Sequence, residues 1–433
     1  MAKSKIGIFA DDLTGALDAS ARFAARGMPT FVSATTQIPL GASELYQVVA
    51  LNMDSRHNEP RQAREAAIRA SSSLNSAGFT PLFNKVDSTL RGHPGLEANA
   101  VLGTLNGEMI VFAPAFPATG RTVIDGHLLV NGVPVNQTDV GRDVLSPVPA
   151  SSIVEILREN TGMDATSVRL SQVRSGPEPL ADLFVRIADG GAAIAVLDSE
   201  SDQDLWTIVV AASRSNKQIV LTGSGGLAAS LANAYGDDQT GQRKPERLAI
   251  QPFLVVAGSQ REIVHAQAET VRKQAKANII EIDGDRLLDA VEGAAERERV
   301  IGEASRSIRE GRSVVLMLVS RTIGPDGGRA ALLSVARDRL VAELGAITAR
   351  VSQASVNALV LIGGDTAKGI LNALNCTGII LRDEAMPGVP AGVMHAGALD
   401  GAPVVTKAGD FGDEETLLKI FEYLSTGRTW REG

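Results

Sequence analysis

Ile6-Gly7-Ile8-Phe9-Ala10-Asp11-Asp12-Leu13-Thr14-Gly15-Ala16 is the stretch whose reading decides the fold. Ile6 to Ala10 is an apolar run of the length of a buried strand, and it stops at two adjacent acids. From Gly15 the spacing turns helical, with Leu17, Ala21, Ala24 and Ala25 on one face and Gly27 and Pro29 closing the segment. A strand, a tight acidic turn and a helix place Asp11, Asp12 and Thr14 at the carboxyl end of a parallel sheet, where open α/β sheets bind ligands. Asp12 or Thr14 could serve as a helix cap, but a cap needs one side chain. Three polar groups in four positions point to chemistry.

Working outward, the same grammar repeats. Gln47 to Met53 is apolar and ends at Asp54-Ser55-Arg56-His57; a helix from Pro60 to Ser76 stops at Gly78. Leu82 to Val86 leads into Asp87-Ser88-Thr89-Leu90-Arg91-Gly92-His93, and Met109 to Ala113 is a further strand. Residues 117–147, rich in Gly, Pro, Asn and Asp, read as a long excursion and not as a packed element. Ala192 to Leu197 and Gln218 to Leu221 continue the strand series. Gly236 to Pro245 is polar and without apolar periodicity, which marks a linker. A second series follows, with strands at Phe253 to Ala257, near Ile279, at Val314 to Val319, Ala358 to Ile362 and Gly378 to Leu381, and a charged helix over Glu292 to Arg312. The expectation is an α/β protein of two domains. Residues 1–236 form a mostly parallel sheet flanked by helices, 237–250 a linker, and 251–433 a second α/β domain.

Bulk properties narrow the function. A chain of 433 residues exceeds one ordinary core. A net charge of −8 offers no footprint for nucleic acid, and an anionic substrate would need a local basic cluster. One cysteine and five histidines at no ligand spacing argue against a disulfide or a thiolate metal site. Without a signal-peptide core or a bilayer-length apolar run, a cytoplasmic protein with no membrane partner is expected; homo-oligomerisation is left open.

The first half collects charge at strand ends: Asp11 and Asp12, then Asp54 and Arg56, then Lys85, Asp87, Ser88 and Arg91. Parallel strands present these ends on one side. An arginine fork suits a carboxylate while aspartates accept from hydroxyls, so a small polyhydroxylated acid fits; the alternative is a set of ion pairs tying loops together. Four glycine-rich turns look like anion holders: Gly223-Ser224-Gly225-Gly226, Gly258-Ser259-Gln260, Gly363-Gly364-Asp365-Thr366-Ala367, and Thr406-Lys407-Ala408-Gly409-Asp410-Phe411-Gly412. Three lie in the second half, which points to a phosphate-bearing ligand. No Walker sequence is present. Gly223-x-Gly225-x-x-Ala228 meets the dinucleotide fingerprint, but the acid-ended strand required about twenty residues later would fall in the linker.

Together these motifs resemble the four-carbon acid sugar kinase family. The resemblance runs through Asp11-Asp12-Leu13-Thr14-Gly15-Ala16, Lys85-Val86-Asp87-Ser88-Thr89-Leu90-Arg91-Gly92, Pro114-Ala115-Phe116-Pro117-x-x-Gly120-Arg121, Gly223-Ser224-Gly225-Gly226-Leu227-Ala228, Gly363 to Ala367, Pro387-Gly388-Val389-Pro390 and Thr406 to Gly409. It implies an amino-terminal domain that binds the sugar acid and a carboxyl-terminal domain that binds ATP, with Mg²⁺ on the phosphates. Asp12, Arg56, Lys85, Asp87, Ser88 and Arg91 would hold the acid, beside Asp11. Ser259, Gly363, Gly364, Asp365, Thr366 and Gly409 would hold the nucleotide. Members phosphorylate threonate, erythronate and 3-oxo-tetronate. This chain departs from the family at Gln260 to His265, where serine and threonine are common, and at Asp410, where a second glycine is usual. The general base is Asp12 or Asp87. A hydroxy-acid dehydrogenase using the Gly223 turn for NAD and a non-catalytic sugar-acid sensor are the competing readings.

Overall fold

The first strand, β1 (Ile6–Ala10), is buried along its whole length, as a strand covered by helices on both faces must be. It belongs to the first of two units, Met1–Thr240 and Gly241–Gly433. The computed structural model describes residues 4–143, 146–191, 193–236, 250–275, 277–321 and 330–426; most of the expected linker, 237–249, lies outside them.

In the first unit the chain adds β2 (Thr30–Ser33), β3 (Val48–Asn52), β4 (Leu82–Lys85) and β5 (Met109–Ala113). A small three-stranded sheet follows, β6 (Arg121–Ile124), β7 (His127–Val130) and β8 (Val133–Pro134). The main sheet is completed by β9 (Ala165–Val168), β10 (Ile194–Leu197) and β11 (Ile219–Gly223). Its order is β2-β3-β1-β4-β11-β5-β10-β9, and every pairing is parallel. From β1 the chain turns first to β2 and β3 on one side, then to β4 on the other. That reversal opens a crevice at the carboxyl ends of β1, β3 and β4. Helix Leu13–Ala24 packs on β2 and β3, and helix Pro60–Ser76 on β1 and β4. Phe9, Phe31, Phe83 and Phe112 are fully buried in this core.

Within the expected excursion over 117–147, of which 144 and 145 lie outside the described residues, residues 121–134 form paired strands. β6, β7 and β8 pair antiparallel through two-residue loops, Asp125-Gly126 and Asn131-Gly132, whose residues all have positive φ. These are the left-handed turns that suit tight hairpins, so the polar residues taken as loop markers are hairpin signals. Val123 and Leu128 are fully buried. Asp198 fixes the first turn, its carboxylate accepting from Asp125 N and Gly126 N at 2.9 and 2.8 Å.

The second unit has β12 (Leu254–Ala257), β13 (Asn278–Asp283), β14 (Val314–Val319), β15 (Leu359–Ile362), β16 (Gly378–Met386), β17 (Val389–His395) and β18 (Pro403–Lys407). Its order is β13-β14-β12-β15-β18-β17-β16. Five strands run parallel and the last two pair antiparallel. Here too the chain reverses, with β14 on one side of β12 and β15 on the other. Phe253 and Phe421 meet edge-on at 4.5 Å in the core.

Candidate active site

In the first unit the three crevice loops converge on Arg56, which follows β3. Its Nε donates to Asp11 Oδ2 at 2.7 Å, and its Nη1 donates to Asp12 Oδ2 at 2.9 Å. Nη2 lies 2.9 Å from Asp12 Oδ1 and 3.8 Å from Asp87 Oδ1. From the loop after β4, Arg91 grips Asp87 with Nε and Nη2 at 2.8 and 3.1 Å, and Thr89 Oγ1 donates to the same carboxylate. Arg91 Nη1 also approaches Asp143 Oδ2 at 3.7 Å. Asp11, Asp12, Arg56, Lys85, Asp87 and Arg91 are thus brought together, with Ser88 half-buried in the same turn. Asp54 is exposed and stays outside. Leu90, between Asp87 and Arg91, is buried at φ +63°, a conformation that a branched residue holds only when its surroundings impose it.

Lys85, the last residue of β4, is 5% exposed and donates to Val86 O at 3.0 Å. A Cβ on Gly15 would lie 2.9 Å from its Nζ and 2.6 Å from Asp12 Oδ1, so the glycine makes room for both groups. Asp12 also caps the helix, accepting from Gly15 N at 2.7 Å; cap and charge cluster use the same carboxylate.

Charge states follow from these contacts. Burial alone would push Asp87 up, but the guanidinium groups of Arg91 and Arg56 outweigh it and hold the carboxyl well below the usual range. Burial likewise works against the charge on Arg56, and Asp11, Asp12 and Asp87 overcome it and raise its pKa. Asp11 goes the other way: burial raises it against the pull of Arg56.

In the second unit, Ser259 after β12, the Gly363-Gly364 turn after β15 and Gly409 after β18 converge. A Cβ on Gly409 would lie 2.4 Å from Ser259 Oγ, and one on Gly363 would lie 3.7 Å from Ser259 Cβ. Gly363 has φ +103° and donates its own N–H to Lys407 O at 2.9 Å; among the described residues no side chain caps the helix Gly364–Ala373 that follows, which leaves its first N–H groups without an intrahelical partner at the positive end of the helix. Close backbone approach and open N–H groups fit a phosphate chain. Thr366 is buried against Gly258 and Gly363, inside the turn, while Asp365 is exposed and 3.4 Å from Arg337. Lys407, the last residue of β18, is 1% exposed and donates to Ala408 O and Phe411 O at 2.8 and 3.1 Å. Burial pushes its pKa down to about 8. Gln260, at the departure from the family pattern, accepts from Ser320 N at 3.4 Å.

The Gly223 turn is a correction. Added Cβ atoms would lie 2.4 Å from Ala113 O at Gly223, 2.4 Å from Asp18 Oδ2 at Gly225 and 2.6 Å from Ala115 O at Gly226. The turn is fully buried, and Ser224 Oγ already serves Ala115 O and Gly226 N. These glycines permit close packing of protein on protein and leave no face for an anion or a dinucleotide. No group of three or more His, Cys, Asp or Glu fit to hold a metal occurs among the described residues. A Mg²⁺ ion here would ride on nucleotide phosphates, as that ion commonly does.

Residues 6–231 match the sequence model of a family described as a sugar-binding N-terminal domain, and residues 254–417 match that of a nucleotide-binding C-terminal domain. A D-threonate kinase of Salmonella typhimurium is 32% identical over 97% of this chain and 98% of that protein. The chain belongs to the four-carbon acid sugar kinase family. That makes it an enzyme that phosphorylates a hydroxyl group. Other members similar to this kinase are a D-erythronate kinase of Heliobacterium modesticaldum, at 30% identity over 98% of each chain, and a 3-oxo-tetronate kinase of Pseudomonas fluorescens, at 27% over 98% of each. The fold is shared with a Salmonella typhimurium LT2 crystal structure (TM-score 0.80, 21% identity, 96% of this chain and 98% of that one). A Haemophilus influenzae protein, HI1011, gives a TM-score of 0.72 at 22% identity over 96% of this chain and all of that one.

Sequence reasoning about this kinase missed Glu97, Ser55 and Asp143 in the first unit. It quoted Lys407 in a motif without placing it among the site residues. Nothing local marks Glu97, a glutamate in the first turn of a helix, as anything but a solvated charge. Lys407 carried a signal: a lysine at the end of an apolar strand, directly before a glycine turn. No helix among the described residues is long and apolar enough to cross a membrane.

Proposed function

We propose that this kinase transfers the γ-phosphoryl group of ATP to a hydroxyl of a four-carbon sugar acid of the threonate, erythronate or 3-oxo-tetronate type. Residues 1–236 hold the acid, 251–433 the nucleotide, and 237–250 link them. The observation that carries the reading is the gathering of Arg56, Lys85 and Arg91 with Asp11, Asp12 and Asp87 at the point where the first sheet reverses its strand order.

Lys85 supports recognition of the carboxylate. An ammonium has three N–H bonds, and the one to Val86 O leaves two for a ligand. Arg56 and Arg91 are committed to aspartates and act as a rigid cationic backing. Between the two candidate bases, the contacts favour Asp12. Asp87 is held ionised by two guanidinium groups and a hydroxyl, so it accepts hydrogen bonds and resists a proton. The side chain of Asp12 is 23% exposed, the more open of the two. It can accept the substrate hydroxyl proton as the phosphorus–oxygen bond forms, the role such a carboxylate plays in phosphoryl transfer. ATP supplies the phosphoryl group; the chain supplies position and charge. Backbone N–H groups at Gly364 and Gly409, with Ser259, would hold its phosphates; Gly363, whose own N–H donates to Lys407 O at 2.9 Å, would let them approach the backbone, and Asp365 and Thr366 shape that turn.

The deciding experiment mixes the protein with ATP, Mg²⁺ and a panel of four-carbon acids and follows ADP. ADP formed only with an acid present supports the reading. Acid-dependent change at the NADH band would replace it with a dehydrogenase, and acid binding without turnover would replace it with a sensor.

A further inference from the structure

One carboxylate beside the acid pair has no part in the reading above. Glu97 lies in the helix Pro94–Thr104 and is 0% exposed. Its Oε1 accepts from Ser55 Oγ, and its Oε2 has no hydrogen-bond partner among the described residues. Ser55 is also fully buried and donates its backbone N–H to Asp11 O at 2.9 Å. Asp11, 2% exposed, accepts from Arg56 Nε on Oδ2, and its Oδ1 likewise has no partner among the described residues. Two buried carboxyl groups therefore flank Ser55, each with one oxygen unmatched. A buried carboxylate oxygen without a partner makes the ionised form costly, so two such groups side by side favour the neutral form of one.

Electrostatics says where that proton resides. Two ionised carboxylates out of water repel each other, and burial penalises both. Burial, and next the charge of Asp11, push Glu97 up to about 8. Asp11, from the loop after β1, and Arg56, from the loop after β3, are the charged groups that act on it. Asp11 has a guanidinium N–H 2.7 Å away to hold its negative charge; Glu97 has only a hydroxyl. The proton belongs on Glu97.

We propose that Glu97 is a positioning residue: it stays neutral, so that Asp11 remains the anion that orients the Arg56 guanidinium for the acid substrate. The inference rests on the first unit binding a sugar acid. Arg56, Lys85 and Arg91 face Asp11, Asp12 and Asp87, with Asp143 at the edge, so the cluster has no surplus of positive charge. An ionised Glu97 would add one more negative charge beside a site that must admit an anion. A neutral one adds none.

The test is steady-state kinetics of the full chain from about pH 6 to about pH 9.5, with acid and ATP varied separately. The KM for the acid should rise as pH passes about 8, and Glu97→Gln should remove that rise without altering the pH dependence of the KM for ATP. Glu97→Gln is neutral at every pH and keeps the shape. It should leave the acid KM within about threefold of wild type at neutral pH and abolish the inflection, whereas Glu97→Leu should raise that KM roughly tenfold. Glu97→Gln as damaging as Glu97→Leu, or retaining the inflection, would overturn the proposal. An infrared difference spectrum, wild type minus Glu97→Gln at neutral pH, reads the charge state without any substrate. A protonated-acid C=O stretch that vanishes in the variant supports the proposal, and a carboxylate band in its place refutes it. Failure of every acid to turn over would sink the kinase assignment, and the infrared result would still decide the state of Glu97.

Discussion

Replacing Lys85 by Met removes a buried charge while keeping an unbranched side chain of similar length, so the space between β4 and Gly15 stays filled. The wild-type ammonium donates to Val86 O and keeps two N–H bonds for a ligand. A charge-assisted hydrogen bond contributes about 1.5–3 kcal/mol, which corresponds to roughly a 10- to 150-fold rise in the KM for the acid. A second effect has the same sign. The charge of Lys85 helps to hold Asp11 down against burial, and without it Asp11 rises further and its grip on Arg56 weakens. The KM for ATP should stay within about twofold of wild type, because the glycine turns that would hold phosphate belong to the other unit. An ADP-coupled assay with each substrate varied in turn reads both constants, and a thermal melt checks the fold. Equal shifts in the two constants, or a lowered melting temperature with both unchanged, would mean that Lys85 is a strut for Val86 and not a ligand for the acid.

Asp12→Asn keeps the helix cap, since the amide oxygen still accepts from Gly15 N, but removes the proton acceptor. Turnover should fall by roughly 10²–10⁴ while the melt barely moves, and near-normal turnover would pass the role to Asp87. Gly409→Val places carbon atoms where Ser259 Oγ lies 2.4 Å away, so the KM for ATP should rise at least about tenfold with the acid KM unchanged. Unaltered nucleotide binding would put the phosphates elsewhere. Gln260→Ser should change nucleotide affinity by less than about 1.4 kcal/mol in calorimetry, because Ser259 and the backbone remain; a larger change would make the Gln260 amide a ligand. Lys407 has a pKa lowered by burial to about 8, so its contribution to stability is full above its ordinary value and is lost as pH falls through about 8. A polyphosphate nearby reverses that penalty. Nucleotide binding near pH 8 should therefore take up a fraction of a proton, measured by calorimetry in two buffers of different ionisation heat, and Lys407→Met should abolish the uptake. Equal heats in both buffers would count against it.

Much of this molecule is legible one residue after another. A run such as Ile6 to Ala10 is apolar throughout because both faces of the strand are covered, and the polar group that ends it must lie at the sheet's edge. So the parallel α/β class, and the charged clusters after β1, β3 and β4, follow from order along the chain. The hairpins of β6 to β8 were legible too, through Asp125-Gly126 and Asn131-Gly132, had those pairs been weighed as turn formers between strands. What sequence order cannot supply is depth. Gly223 to Gly226 and Gly363-Gly364 look alike as strings, yet the first turn is sealed by Ala113, Ala115 and Asp18 while the second leads an uncapped helix. Depth also separates Asp87 from Asp12, and it alone turns Glu97 from an ordinary helix glutamate into a buried acid. Hydrophobic periodicity is written locally and survives in the sequence. The surroundings that set a carboxyl group's proton affinity come from segments dozens of residues apart, as Asp11, Ser55 and Glu97 are, and only folding brings them together.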